Sequence, residues 1–396
     1  MKPDGIAMTQ LGVKNISRLP GVSVTSRAGS GFISRGKGQQ FEYTHDDIGN
    51  RTQTKAGGDS AGANLRTATY TPNSLNQYSS RTVPNAVDIL GTADAAATVT
   101  VNNQATYRKG TYYHKAPTLD NSAKAIFPVI KVSTVYGGNS SNVYGKMFLP
   151  KTPESYTYDL DGNLTSDGRW NYTWDLAREI GRRRGAVPKE APRGPLARPF
   201  RESVISRAEE NRLVRMESRA NGPCGSKRRL EFEYDWQGRR IRKTVSDLES
   251  GEVLLDNTFL YDGWNLVAEI NSTNHALVRS YLWGLDLSGT PQGAGGVGGL
   301  LAVNDPAHGA HFVAYDGNGN VVALVSARDG TLSAQYEYGP FGEPIRVSGP
   351  IGEANTFRSS TQYTDQEADQ ACYLRRYYSY SMGRWLSRDP IGEMAS

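Results

Sequence analysis

Apolar and polar residues alternate over short stretches of this sequence. In Tyr156-Thr-Tyr158 and Phe232-Glu-Tyr234 every second residue is aromatic, which is the period of a strand with one buried face. Asp follows directly, Gly comes three residues after the Asp, and a second strand-like run begins, as in residues 321–325. Asp and Gly favour tight turns, and Gly accepts a positive φ. The pattern therefore predicts a β-hairpin.

The same pattern recurs along the chain. Three copies share an aromatic residue, Asp and Gly at one spacing, and their residues are Tyr158, Asp159 and Gly162; Tyr234, Asp235 and Gly238; Tyr315, Asp316 and Gly319. A fourth copy has His45 in the aromatic position, and shorter or broken copies begin at Tyr261, Tyr338 and Trp174. One hairpin is marginally stable in water, so the copies are expected to pair side by side in one sheet. We expect the three tyrosines to be largely buried in a row, with the glycines at positive φ.

The repeats divide the chain into four parts. Residues 1–40 are polar and predict a poorly ordered leader, whereas residues 41–175 and 210–396 hold the hairpins. Residues 176–209 are basic and rich in Pro, which predicts an irregular insertion into a hairpin. We expect this insertion to project from the sheet, so that its deletion leaves the fold intact.

Composition and charge exclude several classes of protein. Tyr is the commonest aromatic residue, at 22 against 10 Phe and 6 Trp, and 43 residues are Gly, which favours an all-β fold. No run is long and apolar enough to insert into a membrane, and no signal peptide is recognisable, so localisation stays open. The excess of Lys and Arg falls in residues 176–230, which indicates a solvated loop and no specific nucleic-acid site.

Candidate sites for metals and cofactors are weak. Only His308 and His311 lie close together among the five His, and no Cys or Glu accompanies them in a ligand pattern. The Gly-rich residues 293–299 are not followed by the Lys and Ser or Thr of a phosphate loop. We therefore expect no metal and no cofactor.

The C-terminal residues carry a more specific motif. Residues 383–392 read Gly-Arg-Trp-Leu-Ser-Arg-Asp-Pro-Ile-Gly, and Arg376-Tyr-Tyr precedes them. This run resembles the Rhs repeat-associated core motif, and the hairpin units resemble YD repeats. The resemblance implies hairpins wound into a curled, shell-like sheet that encloses a C-terminal toxin polypeptide. It also implies a bacterial, secreted or cell-surface protein that carries a polymorphic toxin.

The resemblance implies one chemistry, which is self-cleavage by two Asp-Pro-x-Gly motifs assisted by an Arg. Asp389 matches the first aspartate and Arg376 the assisting arginine. A second such motif does not occur before Ser396, and Asp305-Pro306 lacks the Gly. A dyad needs two carboxylates, so we expect Asp389 to be a turn residue and the chain not to be an enzyme.

Residues 367–372 depart from the family pattern. They read Glu-Ala-Asp-Gln-Ala-Cys, where the family has a Gly-containing tight turn. We therefore expect the local hairpin to be disturbed, as in a fragmentary copy of the repeat.

The sequence leaves three hypotheses for the function. The first is a non-enzymatic β-repeat scaffold whose partner is a toxin polypeptide. The second is an aspartyl autoprotease and toxin carrier. The third is a carbohydrate-binding surface module, in which exposed Tyr and Trp rings stack on cell-surface glycans.

Overall fold

The structure is a computed structural model that describes residues 37–175, 211–219 and 227–389. These residues form antiparallel strands and one short 3-10 helix at Ser359–Thr361, without an α-helix. Accordingly, none of the described residues forms a helix that could span a membrane. The predicted all-β class is confirmed.

The first twelve strands form three small sheets. In chain order, β1 to β12 are Gln40–His45, Arg51–Gly57, Leu65–Pro72, Tyr78–Arg81, Ile89–Thr92, Thr98–Val101, Gln104–Ala105, Tyr107–Lys109, Tyr112–Lys115, Val129–Tyr136, Asn139–Lys146 and Glu154–Ser155. Strands β1 to β4 and β12 form a five-stranded sheet in that order. The others form a sheet of order β11-β10-β6-β7 and one of order β5-β9-β8.

The next fourteen strands form one large sheet. In chain order, β13 to β26 are Thr157–Tyr158, Leu164–Ser166, Trp170–Trp174, Leu213–Ser218, Arg228–Tyr234, Arg240–Asp247, Val253–Asp262, Asn265–Asn271, Leu277–Trp283, Leu300–Asp305, Gly309–Tyr315, Val321–Ser326, Leu332–Tyr338 and Pro344–Ser348. Each strand pairs with the next strand in the chain. The predicted side-by-side stacking is thus confirmed for the three tyrosine copies, whereas the copy at His45 joins β1 and β2 of the five-stranded sheet.

A small sheet closes the described chain. Its strands β27 to β30 are Tyr363–Asp365, Gln370–Cys372, Tyr377–Ser379 and Arg384–Trp385. We call residues 358–389 the C-terminal segment. The prediction of a disturbed hairpin at residues 367–372 was wrong. Strands β27 and β28 pair without a bulge, with Tyr363 opposite Cys372 and Asp365 opposite Gln370. Asp369 has a φ of 54°, a conformation that Asp tolerates better than most residues, and so replaces the missing Gly.

The large sheet curls around the C-terminal segment. The turn before β14 contacts the segment through Leu164, whose N–H donates to the carbonyl of Leu386 at 2.8 Å. The turn before β24, ten strands away, contacts it through Val321, whose N–H donates to the carbonyl of Arg358 at 3.1 Å. The inner face buries Leu164, Leu213 and other apolar residues against the segment. The predicted curled sheet is therefore present.

One hydrogen-bond pattern closes the repeated turns. At Asp159 the backbone N–H donates to the carbonyl of Asn163 at 3.0 Å, and the Gly162 N–H donates to the carbonyl of Asp159 at 3.1 Å. The carboxylate accepts the Asn163 N–H at 2.8 Å. The turns at 46–50, 235–239 and 316–320 repeat this arrangement. Gly162, Gly238 and Gly319 have φ values of 85°, 85° and 75°, which explains why Gly stands there.

Aromatic side chains at the ends of alternate strands bind the backbone of the neighbouring strand. The Tyr234 hydroxyl donates to the carbonyl of Leu213 at 2.6 Å, and the Tyr315 hydroxyl donates to the carbonyl of Leu300 at 2.5 Å. The same bond is made by Trp174, Tyr261, Trp283 and Tyr338. Tyr158, Tyr234 and Tyr315 are partly exposed but pack against the core, which agrees with the expectation that they are largely buried. Their rings pack on the core, and the hydroxyls of Tyr234 and Tyr315 reach the backbone at the turn edge of the sheet.

The ends of the predicted insertion form one of these turns. The Asp175 N–H donates to the carbonyl of Arg212 at 2.9 Å, and the Arg212 N–H donates to the Asp175 carboxylate at 2.5 Å. Strands β15 and β16 pair on either side. Asp175 and Arg212 therefore take the places of Asp235 and Arg239, with the insertion between them. The insertion itself, predicted at 176–209, and residues 1–36 of the predicted leader lie outside the described residues.

We predict that residues 176–211 can be replaced by Trp-Gln-Gly, the three residues between Asp235 and Arg239. The new turn keeps both hydrogen bonds of Asp175, so the free energy of unfolding should change by less than about 1 kcal/mol. Urea denaturation followed by tryptophan fluorescence measures this change. A control replaces the same residues by Val-Val-Val, which removes the Gly that the turn needs at positive φ. Equal loss of stability in both variants would contradict the assignment of this turn.

Candidate functional site

Turns of the first sheet contact the C-terminal segment through arginines. The Arg384 guanidinium donates to the side chain of Asn50 at 2.5 Å and to the backbone carbonyl of Asn76. It also lies 4.0 Å from the centre of the Tyr78 ring. Conversely, Arg51 at the start of β2 donates to the backbone carbonyl of Met382 in the segment at 2.5 Å. Two turns of the five-stranded sheet are thus fixed to residues more than three hundred positions later.

Turns of the large sheet contact the same segment. Arg388 packs so closely on Gly162 that a Cβ there would lie 2.4 Å from its Nε. Near the far end of the sheet, the Thr361 hydroxyl donates to the carbonyl of Gly319 at 2.7 Å. The Ser360 N–H donates to the Asn320 side chain, also at 2.7 Å. The segment is therefore the common contact of hairpins from both sheets.

A buried ion cluster joins the middle of the large sheet to the segment. Asp365 accepts hydrogen bonds from Arg240 at 2.6 Å and from Lys243 at 2.8 Å, and Lys243 also donates to Glu367 at 2.7 Å. Burial by itself would raise the pKa of Asp365, but the two cations outweigh it and hold that pKa below its usual value. Three of these four side chains are almost fully buried, and Glu367 is about one quarter exposed.

Aromatic rings surround the Arg240 guanidinium. Its carbon lies 4.9 Å from the centre of the Tyr363 ring, 5.1 Å from that of Phe259 and 5.2 Å from that of Phe232. A desolvated cation between ring faces gains cation–π energy. The cluster is thus a buried contact between the sheet and the C-terminal segment, shielded from water.

The structure brings together Arg376 and Asp389, the two residues that the sequence motif singled out. Arg376 Nη2 lies 3.0 Å from Asp389 Oδ2, and the Asp389 side chain is 46% exposed. The Arg376 guanidinium stacks 4.2 Å from the centre of the Trp385 ring, and the Tyr373 ring packs edge-on against Trp385 at 4.7 Å. This geometry orients the Asp389 carboxylate at the end of the described chain.

Three other aspartates of the chain are engaged elsewhere. Asp365 belongs to the buried ion cluster, Asp369 pairs with Arg169 at 3.2 Å, and Asp305 pairs with Arg279 at 3.0 Å. An aspartyl mechanism needs two carboxylates that share a proton. The described residues thus give Asp389 a guanidinium partner, whereas these three carboxylates are each held by a cation at another position.

The two close histidines have different partners. His308 Nδ1 lies 3.1 Å from Asp305 Oδ1, whereas buried His311 lies 3.1 Å from the Ser333 hydroxyl. Burial lowers the pKa of His311, so its ring is neutral at pH 7. Across the described ranges no group of three His, Cys, Asp or Glu side chains is placed to hold a metal ion.

The buried ion cluster was not predicted from the sequence. Strict alternation along β18 places Lys243 and Val245 on the inner face but Arg240 on the outer one. A bulge changes this, because Tyr234 pairs with Arg240 while Glu233 pairs with Arg242, leaving one extra residue between them. The available signal was the charged Lys243 at an inward position, which indicates a buried partner.

Comparison with known proteins gives partial matches. No family model matches the chain. Over 267 residues the chain is 27% identical to the tRNA3(Ser)-specific nuclease WapA of Bacillus spizizenii, and the match covers 65% of this chain and 9% of that protein. The tRNA nuclease WapA of Bacillus subtilis is 25% identical over the same length and with the same coverage. The chain thus spans less than a tenth of these relatives, and the similarity supports an Rhs-related protein.

Solved structures show weaker similarity. The crystal structure of TcdB2-TccC3 matches with a TM-score of 0.41 and 14% identity, over 90% of this chain and 16% of that chain. A structure of the Photorhabdus luminescens Tc holotoxin pore matches with a TM-score of 0.42, also at 14% identity and with the same coverage.

We predict that Asp365→Asn destabilises the protein by about 3–5 kcal/mol, because it leaves buried Arg240 without its carboxylate partner and leaves Lys243 with Glu367 alone. The lowered pKa means that the wild type gains this stability above the unfolded-state pKa of about 3.9 and loses it as pH falls through the lower folded-state pKa. The difference between the two proteins should therefore shrink in acid. Urea denaturation at several pH values measures it.

The matched control is Glu231→Gln, which breaks the exposed pair that Glu231 forms with Arg215 at 2.9 Å. Such a pair contributes less than about 1 kcal/mol. Equal losses in the two variants would show that the buried cluster does not hold the segment.

Proposed function

We propose that this chain is a non-enzymatic β-repeat scaffold of an Rhs-like toxin-delivery protein. The observation that supports this is the convergence of distant hairpin turns, from Asn50 to Gly319, on the C-terminal segment. Such an arrangement holds a polypeptide by many dispersed contacts. In this proposal the partner is a toxin polypeptide that the curled sheet encloses.

The WapA relatives are much longer than this chain. They are tRNA nucleases, and the chain spans less than a tenth of their length. We infer that the shared part is the hairpin scaffold and that nuclease activity is not a property of this chain. On the hairpins, the basic side chains of Arg215, Arg229 and Arg242 are each paired with a carboxylate.

An autoprotease is the second candidate, and the 3.0 Å pair of Arg376 and Asp389 favours it. The two proposals assign different roles to this pair. In the scaffold, Arg376 stacks on Trp385 and fixes the end of the segment through Asp389. In the autoprotease, the same carboxylate acts with a second one during peptide hydrolysis.

We predict that the purified chain keeps its mass of 43.3 kDa during prolonged incubation from mildly acidic to neutral pH. The Asp389→Asn variant should likewise give one intact species and no fragments, because the proposed role of Asp389 is structural. A fragment that the wild type forms and the Asp389→Asn variant does not form would replace the scaffold by the autoprotease. In parallel, incubation with total tRNA should give no cleavage products on a denaturing gel, and cleavage that survives further purification would contradict the proposal.

A further inference from the structure

A row of apolar side chains crosses the outer face of the large sheet. Strand register places Leu282 opposite Ala302, Ala302 opposite Phe312, Phe312 opposite Val325 and Val325 opposite Leu332. The row therefore runs straight across five strands, from β21 to β25. Its three largest members are 56–61% exposed, so the described residues leave it open to solvent. We call these five residues the apolar row.

On strands β20 to β24 the face around the apolar row has no exposed charge, and on β25 the one acidic residue, Glu337, pairs with Arg346 of β26. Strands β20 to β24 contain three acidic or basic residues, Glu269, Arg279 and Asp305, and all three are buried, at 1–9% exposure. They pair with one another on the inner face, with Arg279 3.0 Å from Asp305 and 3.8 Å from Glu269. Every charge of these five strands thus points away from the apolar row.

The outer face of the sheet is charged on strands β16 to β19, which precede the strands around the apolar row. On β16 to β19 it carries the ion pairs Arg215–Glu231, Arg229–Glu217 and Arg242–Asp256, at 2.7–2.9 Å. Charged pairs of this kind keep a sheet face soluble and prevent association. The outer face of one continuous sheet is therefore charged on β16 to β19 and without exposed charge on β20 to β24.

The area and the charge of the outer face of β20 to β25 indicate which molecule packs against it. Six strands spaced about 4.8 Å apart and about 20 Å long present a face of about 600 Å². Two copies would bury about 1,200 Å², which is the lower end of the range for specific interfaces. On strands β20 to β25 the outer face carries one acidic residue, Glu337, which is already paired with Arg346. Two copies of this face therefore meet with little electrostatic penalty, and a two-fold interface requires a patch to fit itself.

We propose that the apolar row is a homodimer interface, in which the β20 to β25 faces of two copies of this chain pack together as a sandwich. Sheets that pack in this way lie about 10 Å apart, with side chains of the two faces interleaved. Phe312 stands third among the five residues of the row and so contributes the central contact.

Light scattering after size-exclusion chromatography tests the proposal on the full chain. At about 100 µM the wild type should show twice the monomer mass, because interfaces of this size give dissociation constants in the micromolar range or below. Phe312→Glu places an unpaired charge in the centre of the interface and should weaken dimerisation at least 100-fold, by about 3 kcal/mol. Leu332→Glu, at the end of the apolar row, should weaken it less.

Val253→Glu is the matched control, because Val253 is 57% exposed against 58% for Phe312 but lies outside the row. It should leave the dimer unchanged. Hydrogen exchange of the wild type adds a readout that needs no variant, since residues 310–314 should become more protected as protein concentration rises. A monomeric wild type at about 100 µM, or equal effects of Phe312→Glu and Val253→Glu, would overturn the proposal.

Discussion

The contact between the hairpin turns and the C-terminal segment determines how this chain can fold. A sheet of fourteen strands can lie open or curl, and its own hydrogen bonds do not decide between these forms. Because Leu164 and Val321 bind the same segment from turns ten strands apart, the open form would break contacts at one end of the sheet. The curl is thus a consequence of side-chain and backbone contacts at the turn edge.

The repeat chemistry makes these contacts possible. Each Asp fixes its turn through backbone N–H groups, and each Gly lets the chain pass at positive φ, so every turn presents similar atoms to the segment. Aromatic hydroxyl and indole groups then tie each strand to its neighbour at that same edge, as Tyr234 does with Leu213. In the middle of the sheet, Arg240, Lys243 and Asp365 replace apolar contacts by a buried ion cluster. Buried charges of this kind disfavour any other register, because a shift would leave one of them unpaired.

The hairpins and their turns were predictable from the sequence, whereas contacts between residues far apart in the chain were not. Alternation and the Asp-x-x-Gly spacing predicted the hairpins, their order in the sheet and the positions of Gly162, Gly238 and Gly319. The turn at Asn73 was missed because its side chain replaces Asp and Asn76 replaces Gly. Arg240 was missed because a bulge turns it inward. The pairing of Arg384 with Asn50 joins residues 334 positions apart, and no local pattern encodes such a contact.

Native-state hydrogen exchange in increasing denaturant tests the central claim, which is that the C-terminal segment and both sheets form one cooperative unit. The account predicts that amides of β1 to β4, of β13 to β26 and of residues 358–389 open with the same highest free energy, because each set loses its contacts when another unfolds. Opening of residues 358–389 at a clearly lower free energy, while the fourteen strands remain protected, would contradict it.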